Sequence, residues 1–268
     1  MKKLSSKIYF GFIMAFLYLP LIYLIAYSFN DGKTSVWKGF TFKWYVALFQ
    51  DSQIMHSLYN SLLVALLASL FATFLGTLAA IGIYNCKGGY RTVVQTVSNV
   101  PIINPEIVTG VSMSLLFVFA IGLINKMGFD CTLNIVTLII AHITFNIPYV
   151  VLSVFPKLKQ MNKHSYEAAL DLGCTPIKAL FKVILPEIMS GVITGAIMAF
   201  TLSLDDFVIS HFVSSPDFQT LPLYVYNQTA HNVKFSMYAL SALIVIAILI
   251  ILLVVNFAGS VGKKGGAK

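Results

Sequence analysis

The sequence predicts an all-α membrane protein whose single domain, residues 1–268, contains six transmembrane helices. Hydrophobic residues make up 58% of the chain and charged residues only 10%, whereas soluble proteins contain about 25% charged residues. Six long runs are apolar and free of charge over most of their length, and about 20 such residues in a helix cross the hydrocarbon core of a bilayer. This composition excludes an ordinary soluble enzyme.

The spans are expected at residues 8–29, 57–84, 99–124, 131–155, 188–207 and 235–259. The first follows Lys2, Lys3 and Lys7 as the apolar part of a signal peptide would. Its 22 uncharged residues are too many for that part, so we expect this helix to be retained. In the third span, Pro101 and Pro105 are expected to kink or break the helix, because proline removes a backbone donor and clashes with the preceding turn.

The distribution of basic residues predicts the orientation in the membrane. Of 18 Lys and Arg, 13 lie on the side that holds both termini and the loop of residues 156–187, and five lie on the other. Cytoplasmic segments carry the excess of basic residues, so both termini are expected in the cytoplasm. The net charge of +8 is then a sign of orientation and not of nucleic-acid binding. The three cysteines predict neither a disulfide nor a metal site.

Small residues at four-residue spacing predict close helix packing, either within this chain or against a second membrane subunit. The two stripes are Ala68, Ala72, Gly76 and Ala80 in the second span, and Gly191, Gly195, Ala199 and Ser203 in the fifth. In the fourth span, His142 and Asn146 share one helix face and are expected to form hydrogen bonds within the bundle.

Three acidic residues stand in or beside the apolar spans, Glu106, Asp205 and Asp206, and their own helices offer them no basic partner. A carboxylate at the bilayer centre costs about 2.5 to 3.5 kcal/mol, which favours a functional role in a cation pathway. We expect Asp205 and Asp206 to meet the cation first and Glu106 to lie deeper, with Tyr149 and Phe207 available for cation-π contact. The alternative for the two aspartates is that they cap the end of a span.

The cytoplasmic loop of residues 156–187 is predicted to contain two short helices. The first, residues 167–172, ends at Gly173, which suits a left-handed helix end. The second, residues 177–185, follows Thr175 as N-cap and Pro176 at its first position. It is amphipathic but only about nine residues long, so it requires a partner surface for stability.

This loop resembles the EAA motif of ABC-importer permeases, EAA-x3-G-x9-I-x-LP, with Val183 where isoleucine is usual. In that family the loop docks into a cytoplasmic ATPase subunit and transmits its closure to the membrane helices. The resemblance implies that the contact is made by Glu167, Ala168, Ala169, Gly173, Thr175, Pro176, Ile177, Lys178, Leu180, Phe181, Lys182, Leu185 and Pro186.

Other stretches resemble the spermidine/putrescine (PotC-type) permeases of the binding-protein-dependent, MetI-like family, including Tyr18-Leu19-Pro20, Pro105-Glu106-Ile107 and Leu204-Asp205-Asp206. Glu106 departs from that family's aspartate but keeps its charge. The resemblance implies a type I ABC importer permease in the bacterial inner membrane. Its implied partners are a second, homologous permease subunit, two ABC ATPase subunits and an extracytoplasmic substrate-binding protein. ATP and Mg would be bound by the ATPase, and this chain would hold no cofactor.

Other activities are weighed against this expectation. An ATPase needs a Gly-x-x-x-x-Gly-Lys-Ser/Thr loop, and the candidate at Gly32-Lys33-Thr34 has Tyr27 in place of the first glycine, so the chain is not expected to be an enzyme. A helix-turn-helix DNA reader is disfavoured because the two short helices are tethered between spans. Two alternatives remain open: an ABC permease for another small solute, and a secondary transporter of cations, which needs no second gene product.

Overall fold

The computed structural model describes residues 2–32, 36–231, 235–246 and 249–250. Over these ranges the chain is helical and contains no strand beyond an isolated pairing of Asn30 with Phe40, which confirms the all-α prediction. The helices are α1 Lys2–Tyr27, α2 Lys43–Gln50, α3 Ser52–Asn85, α4 Gly88–Ile103, α5 Glu106–Lys126, α6 Ile135–Gln160, α7 Lys163–Asp171, α8 Pro176–Ala179, α9 Leu185–Asp205, α10 Val208–Val213, α11 Leu221–His231 and α12 Phe235–Ile246.

Within the described ranges, five helical stretches are long and apolar enough to cross a membrane. They are Tyr9–Tyr27, Ser52–Asn85, Glu106–Lys126, Ile135–Gln160 and Pro176–Asp205. These correspond to the first five predicted spans. The sixth, expected at residues 235–259, begins with α12, and most of the rest of it lies outside the described residues.

The chain divides into two compact units, Met1–Met55 with Val225–Lys268, and His56–Tyr224. In the first unit Asn30 organises the loop after α1. Its Oδ1 accepts hydrogen bonds from the backbone N–H of Gly32 (3.1 Å) and of Lys38 (2.9 Å), and its carbonyl accepts one from Trp44 Nε1 (2.7 Å). This buried amide therefore takes the place of a regular ladder in a segment too short for a sheet.

In the second unit, α6 packs against α9 and α3, and small residues allow these helices to approach each other closely. A Cβ atom on Gly195 would lie 3.2 Å from the Cα of Val150, and one on Gly191 would lie 2.9 Å from the carbonyl oxygen of Ser153. On the other side, a Cβ on Gly76 would lie 2.7 Å from the Cβ of Val150. Both stripes thus serve packing within this chain, which confirms the first of the two predicted alternatives.

The third span differs from the predicted range of residues 99–124. Two helices replace it: α4 ends at Ile103, and the span itself begins at Glu106. Pro105 explains the break, because proline pushes the preceding residue away from helical geometry, and Asn104 is extended at φ −73° and ψ 136°. The expected break is therefore confirmed at Pro105, whereas Pro101 lies inside α4, a helix that was not predicted.

The second loop helix also differs from the prediction of a separate nine-residue rod. Helix α8 continues through one π-helical turn, Leu180–Ile184, directly into α9. In that turn the N–H of Leu185 donates to the carbonyl of Leu180, five residues back. The wider turn comes just before Pro186, whose ring would otherwise clash with the carbonyl four residues earlier. The residues expected in a loop are thus the first turns of the fifth span.

Helix α10, which the sequence did not predict, lies between α5 and α6. Ile209 and Val213 on α10 are buried with Ala141 of α6. On the other side Gly110 of α5 admits α10 so closely that a Cβ there would lie 3.0 Å from the ring of Phe212. This short helix therefore links the start of α5 to the core.

Candidate functional site

One cavity of about 440 Å³ brings together all five residues predicted for the pathway. It lies where the α4–α5 break, α6, the end of α9 and the start of α10 meet. None of the described residues that line it is Lys or Arg. The lining includes Glu106, Tyr149, Asp205, Asp206 and Phe207 from the predicted set, and Asn104, Thr109, Phe145 and Thr201 in addition.

The two adjacent aspartates have different surroundings. Asp205 is the last residue of α9 and is exposed, whereas Asp206 is extended (φ −66°, ψ 122°) and its side chain is only 6% exposed. The carboxylate of Asp206 accepts hydrogen bonds from the N–H of Ile209 (3.2 Å) and from the N–H and hydroxyl of Ser210 (2.8 and 2.9 Å). Asp206 thus caps the start of α10 by accepting from two of its backbone N–H groups, whereas the alternative had both aspartates cap the end of a span.

A further partner of Asp206 is His142 on α6, which is fully buried. The Nε2 atom of His142 lies 3.4 Å from Oδ2 of Asp206, and its Nδ1 lies 2.8 Å from the hydroxyl of Ser203. Asn146 donates to the same hydroxyl over 3.0 Å. The expected hydrogen bonding of His142 and Asn146 within the bundle is confirmed, and it includes a basic partner for Asp206 in another helix.

Glu106 stands on the opposite wall, in the first turn of α5, and is exposed. The amide groups at a helix start favour a negative charge there. Beside it, Asn104 donates to the hydroxyl of Thr109 over 3.3 Å across the break. Glu106 and Asp205 therefore offer two solvated carboxylates in a cavity that also contains aromatic rings. Such a lining attracts cations and repels anions.

The loop residues form a hydrogen-bonded turn between α7 and α8. Gly173 has a φ of +83°, and the N–H groups of Gly173 and Cys174 donate to the carbonyls of Leu170 (2.9 Å) and Ala169 (3.0 Å), the pattern of a Schellman motif. Thr175 caps α8 by accepting from the N–H of Lys178 over 3.4 Å, with Pro176 at the first position. The predicted helix end and helix start are both confirmed.

This turn presents unpartnered apolar side chains. Leu172 is 86% exposed, Ile177 70% and Phe181 61%, whereas Ala169 is buried and Leu180 half-buried. Of the remaining predicted contact residues, Leu185 is half-buried. The others are exposed: Glu167, Ala168, Gly173, Thr175, Pro176, Lys178, Lys182 and Pro186. An exposed apolar patch of this kind is typical of a protein interaction surface.

A second cavity, of about 460 Å³, lies beside this turn. Glu167, Pro176 and Ile177 contribute to its lining, with Arg91 of α4. The guanidinium of Arg91 lies 5.2 Å from the ring of Tyr84. The turn therefore borders the ends of α3 and α6 through a partly open space. Among the described residues, no cluster of His, Cys, Asp or Glu side chains has the arrangement of a metal site.

Sequence reasoning missed several residues of the first cavity. Phe145 precedes Asn146 on α6 and Thr201 precedes the aspartates on α9, and each is one turn from a residue that was predicted. The one-turn spacing from those predicted residues could have identified both Phe145 and Thr201. The approach of α10 to His142 had no such signal, because it depends on a turn at Asp206 that only the tertiary structure specifies.

Comparison with known proteins identifies a matching family model and similar proteins. The family model for the binding-protein-dependent transport system inner membrane component matches residues 72–262. The putrescine transport system permease protein PotI of Escherichia coli K12 is 37% identical over 239 residues, which are 87% of this chain and 83% of the relative. The spermidine/putrescine permease protein PotC of the same strain is 34% identical over 254 residues, 94% of this chain and 93% of the relative.

Solved structures share the fold. A crystal structure of a bacterial ABC transporter involved in the import of alginate contains a chain with a TM-score of 0.74 and 18% identity, covering 97% of this chain and 95% of that one. A chain of the MetNI methionine ABC transporter has a TM-score of 0.58 and 20% identity, covering 77% and 93%. With several apolar helices of spanning length, this chain is a multi-pass membrane protein, and it belongs to the family of binding-protein-dependent transport system inner membrane components.

Proposed function

We propose that this permease moves polyamines through the membrane as one of two transmembrane subunits of an ABC importer. The observation that carries the proposal is the cavity in which Glu106 and Asp205 are exposed beside aromatic side chains, with no Lys or Arg among its described lining residues. The names of the relatives PotI and PotC, which refer to putrescine and spermidine transport, support the same substrate class.

The chemistry of polyamines fits this lining. Each is a chain of methylene groups between ammonium groups, so it needs separated anionic partners and an apolar surface between them. Glu106 and Asp205 supply two carboxylates from different helices. Phe145, Tyr149 and Phe207 supply ring faces for the methylenes and for cation-π contact with the ammonium groups. An anionic solute would find no basic partner among these residues.

For the coupling to ATP, we propose that the exposed apolar side chains Leu172, Ile177 and Phe181 dock with the ATPase subunit, with Glu167 beside them. Because α8 continues into α9, a displacement of the docked turn is passed to the helix that ends at Asp205. ATP and Mg would be bound by that partner, whose closure drives alternating access between inward-open and outward-open states. A substrate-binding protein would deliver the solute from outside the cell.

The orientation follows from the charge distribution. With 13 of 18 basic residues on one side, we propose that both termini and the turn around Gly173 face the cytoplasm. The turn is then on the side of the membrane where ATP is available. The end of α9, with Asp205, is on the outer side.

The test is uptake of labelled putrescine and spermidine by cells that express this chain with its partner subunits and lack other polyamine transport. We expect uptake that depends on the binding protein and on ATP hydrolysis by the partner ATPase. Uptake by this chain alone under an ion gradient would contradict the importer and favour a secondary transporter. Substrate-stimulated ATPase activity with an amino acid or an anion, and none with polyamines, would contradict the proposed substrate.

A further inference from the structure

Asp206 is held at the cavity wall from two directions. Three donors come from α10, and Nε2 of His142 on α6 lies 3.4 Å from the same carboxylate and 3.3 Å from the hydroxyl of Ser210. Both side chains are nearly or fully buried, at 6% and 0% exposure. A buried carboxylate without donors is costly, so these contacts specify where the chain turns after α9.

The donor and the acceptor of each hydrogen bond in this group can be assigned consistently. Asn146 donates its amide N–H to the hydroxyl of Ser203, which leaves the Ser203 proton free to be donated to Nδ1 of His142. The Nδ1 atom is then the acceptor, and the ring proton is on Nε2, the atom that faces both Asp206 and the hydroxyl oxygen of Ser210. The hydroxyl of Ser210 donates to the same carboxylate oxygen. The chain of hydrogen bonds thus runs from α6 through α9 and back through α6 to the start of α10.

Helix α10 is in turn packed against the helix that carries the other acid. Its residue Phe212 lies against Gly110, one turn after Glu106 along α5, and Ile209 is buried against Ala141 next to His142. The position of α10 therefore affects both walls of the cavity, the one with Asp205 and the one with Glu106.

We propose that His142 is a positioning residue of the cavity: by holding Asp206, it fixes the separation between the carboxylates of Glu106 and Asp205. The second part of the proposal rests on the proposed function: the separation between these two carboxylates selects the length of the diamine that the cavity binds. A diamine whose ammonium groups match it binds both carboxylates at once, whereas a shorter or longer one leaves a charge unpaired.

The experiment measures the separation without relying on transport. Glu106 and Asp205 are replaced by cysteine in a chain whose Cys86, Cys131 and Cys174 are serine. The assembled complex in membranes is treated with bifunctional thiol reagents of graded span. The same measurement is made with His142→Gln, which keeps an N–H donor for Asp206, and with His142→Leu, which does not. Thr144→Val is the matched control, because Thr144 is exposed on the same helix and its hydroxyl donates to the carbonyl of Ile140 one turn earlier.

With His142, with His142→Gln and with Thr144→Val, we expect one reagent length to give the highest yield. With His142→Leu we expect this preference to be lost, so that the ratio of best to worst yield falls close to one. An unchanged optimum in His142→Leu, or the same loss in His142→Gln, would overturn the proposal. If His142→Leu does not assemble, Ser210→Ala, which removes one donor to Asp206, is expected to broaden the length dependence, and an unchanged profile there overturns it.

Uptake of diamines with four, five and six methylenes, by chains that retain both acids, separates this proposal from the proposed function. Loss of length preference in His142→Leu, with preference retained in His142→Gln, supports both. Cross-linking that depends on His142 in a complex that takes up no diamine supports the positioning role and contradicts the polyamine substrate.

Discussion

Gly76 of α3 faces Val150 of α6 so closely that a Cβ atom on the glycine would lie 2.7 Å from the Cβ of the valine. Real Cβ atoms do not approach at this distance, so any side chain at Gly76 displaces one of the two helices. In the membrane, where no hydrophobic effect drives helices together, such close packing is a main source of their association.

Gly76→Ala is therefore expected to lower the stability of the complex, by about 1 to 3 kcal/mol as for other overpacked cores. The control is Gly82→Ala in the same helix, where an added Cβ meets nothing within 4 Å. That change is expected to be neutral or slightly stabilising, because alanine has the higher helix propensity. Thermal unfolding of the purified complex in one detergent provides the comparison, and equal melting temperatures for the two variants would contradict the packing argument.

Glu106→Gln and Asp205→Asn are each expected to raise the KM for putrescine and spermidine about tenfold or more. A hydrogen bond to a charged group contributes about 1.5 to 3 kcal/mol, and each change removes one charge from the exposed pair. Asp217→Asn is the control, since Asp217 is an exposed acid that does not line the cavity. Initial uptake rates over a range of concentrations give KM and the maximal rate separately. A KM equal to that of the control would remove the tested acid from the substrate pathway.

Gly173→Ala is expected to uncouple ATP hydrolysis from transport, so that less solute is moved for each ATP hydrolysed. At a φ of +83° an alanine costs about 1 to 2 kcal/mol, which distorts the turn proposed to dock with the ATPase. Gly128→Ala introduces the same kind of strain, at φ +93°, in the turn after α5 and outside the docking surface. Uptake and ATPase rates are measured on the same reconstituted complex. The docking proposal fails if both variants keep the same ratio of transport to hydrolysis.

The native cysteines allow a test of the orientation. Cys86 and Cys174 lie on the side predicted to be cytoplasmic and Cys131 on the other, and each is partly exposed. In single-cysteine variants, a membrane-impermeant maleimide is expected to label Cys131 from outside intact spheroplasts and to label Cys86 and Cys174 only after permeabilisation. Variants that also lack the remaining cysteine serve as the blank. The reversed labelling pattern would invert the proposed orientation.

Much of this structure follows from local features of the sequence. The apolar runs predicted the long helices, Gly173 and Thr175 predicted a helix end and a helix start, and the acids and aromatics predicted for a pathway line one cavity. The relationship between His142 and Asp206 could not be predicted, because the chain turns sharply after α9 and α10 has only the six residues Val208–Val213. Helices of this length have no stability without tertiary contacts and leave no periodic signal.

The π-helical turn at Leu180–Ile184 determines how α8 and α9 are joined. Such a turn contains one residue more than a regular helical turn, and its greater width accommodates that residue so that the helix continues on both sides. Deletion of one residue between Ala179 and Leu185 would restore a regular helical turn and bring the ring of Pro186 against the carbonyl four residues earlier. The wide turn thus lets Pro186 lie within the continuous helical stretch Pro176–Asp205, so the exposed Ile177 and the buried face of α9 belong to one uninterrupted helix.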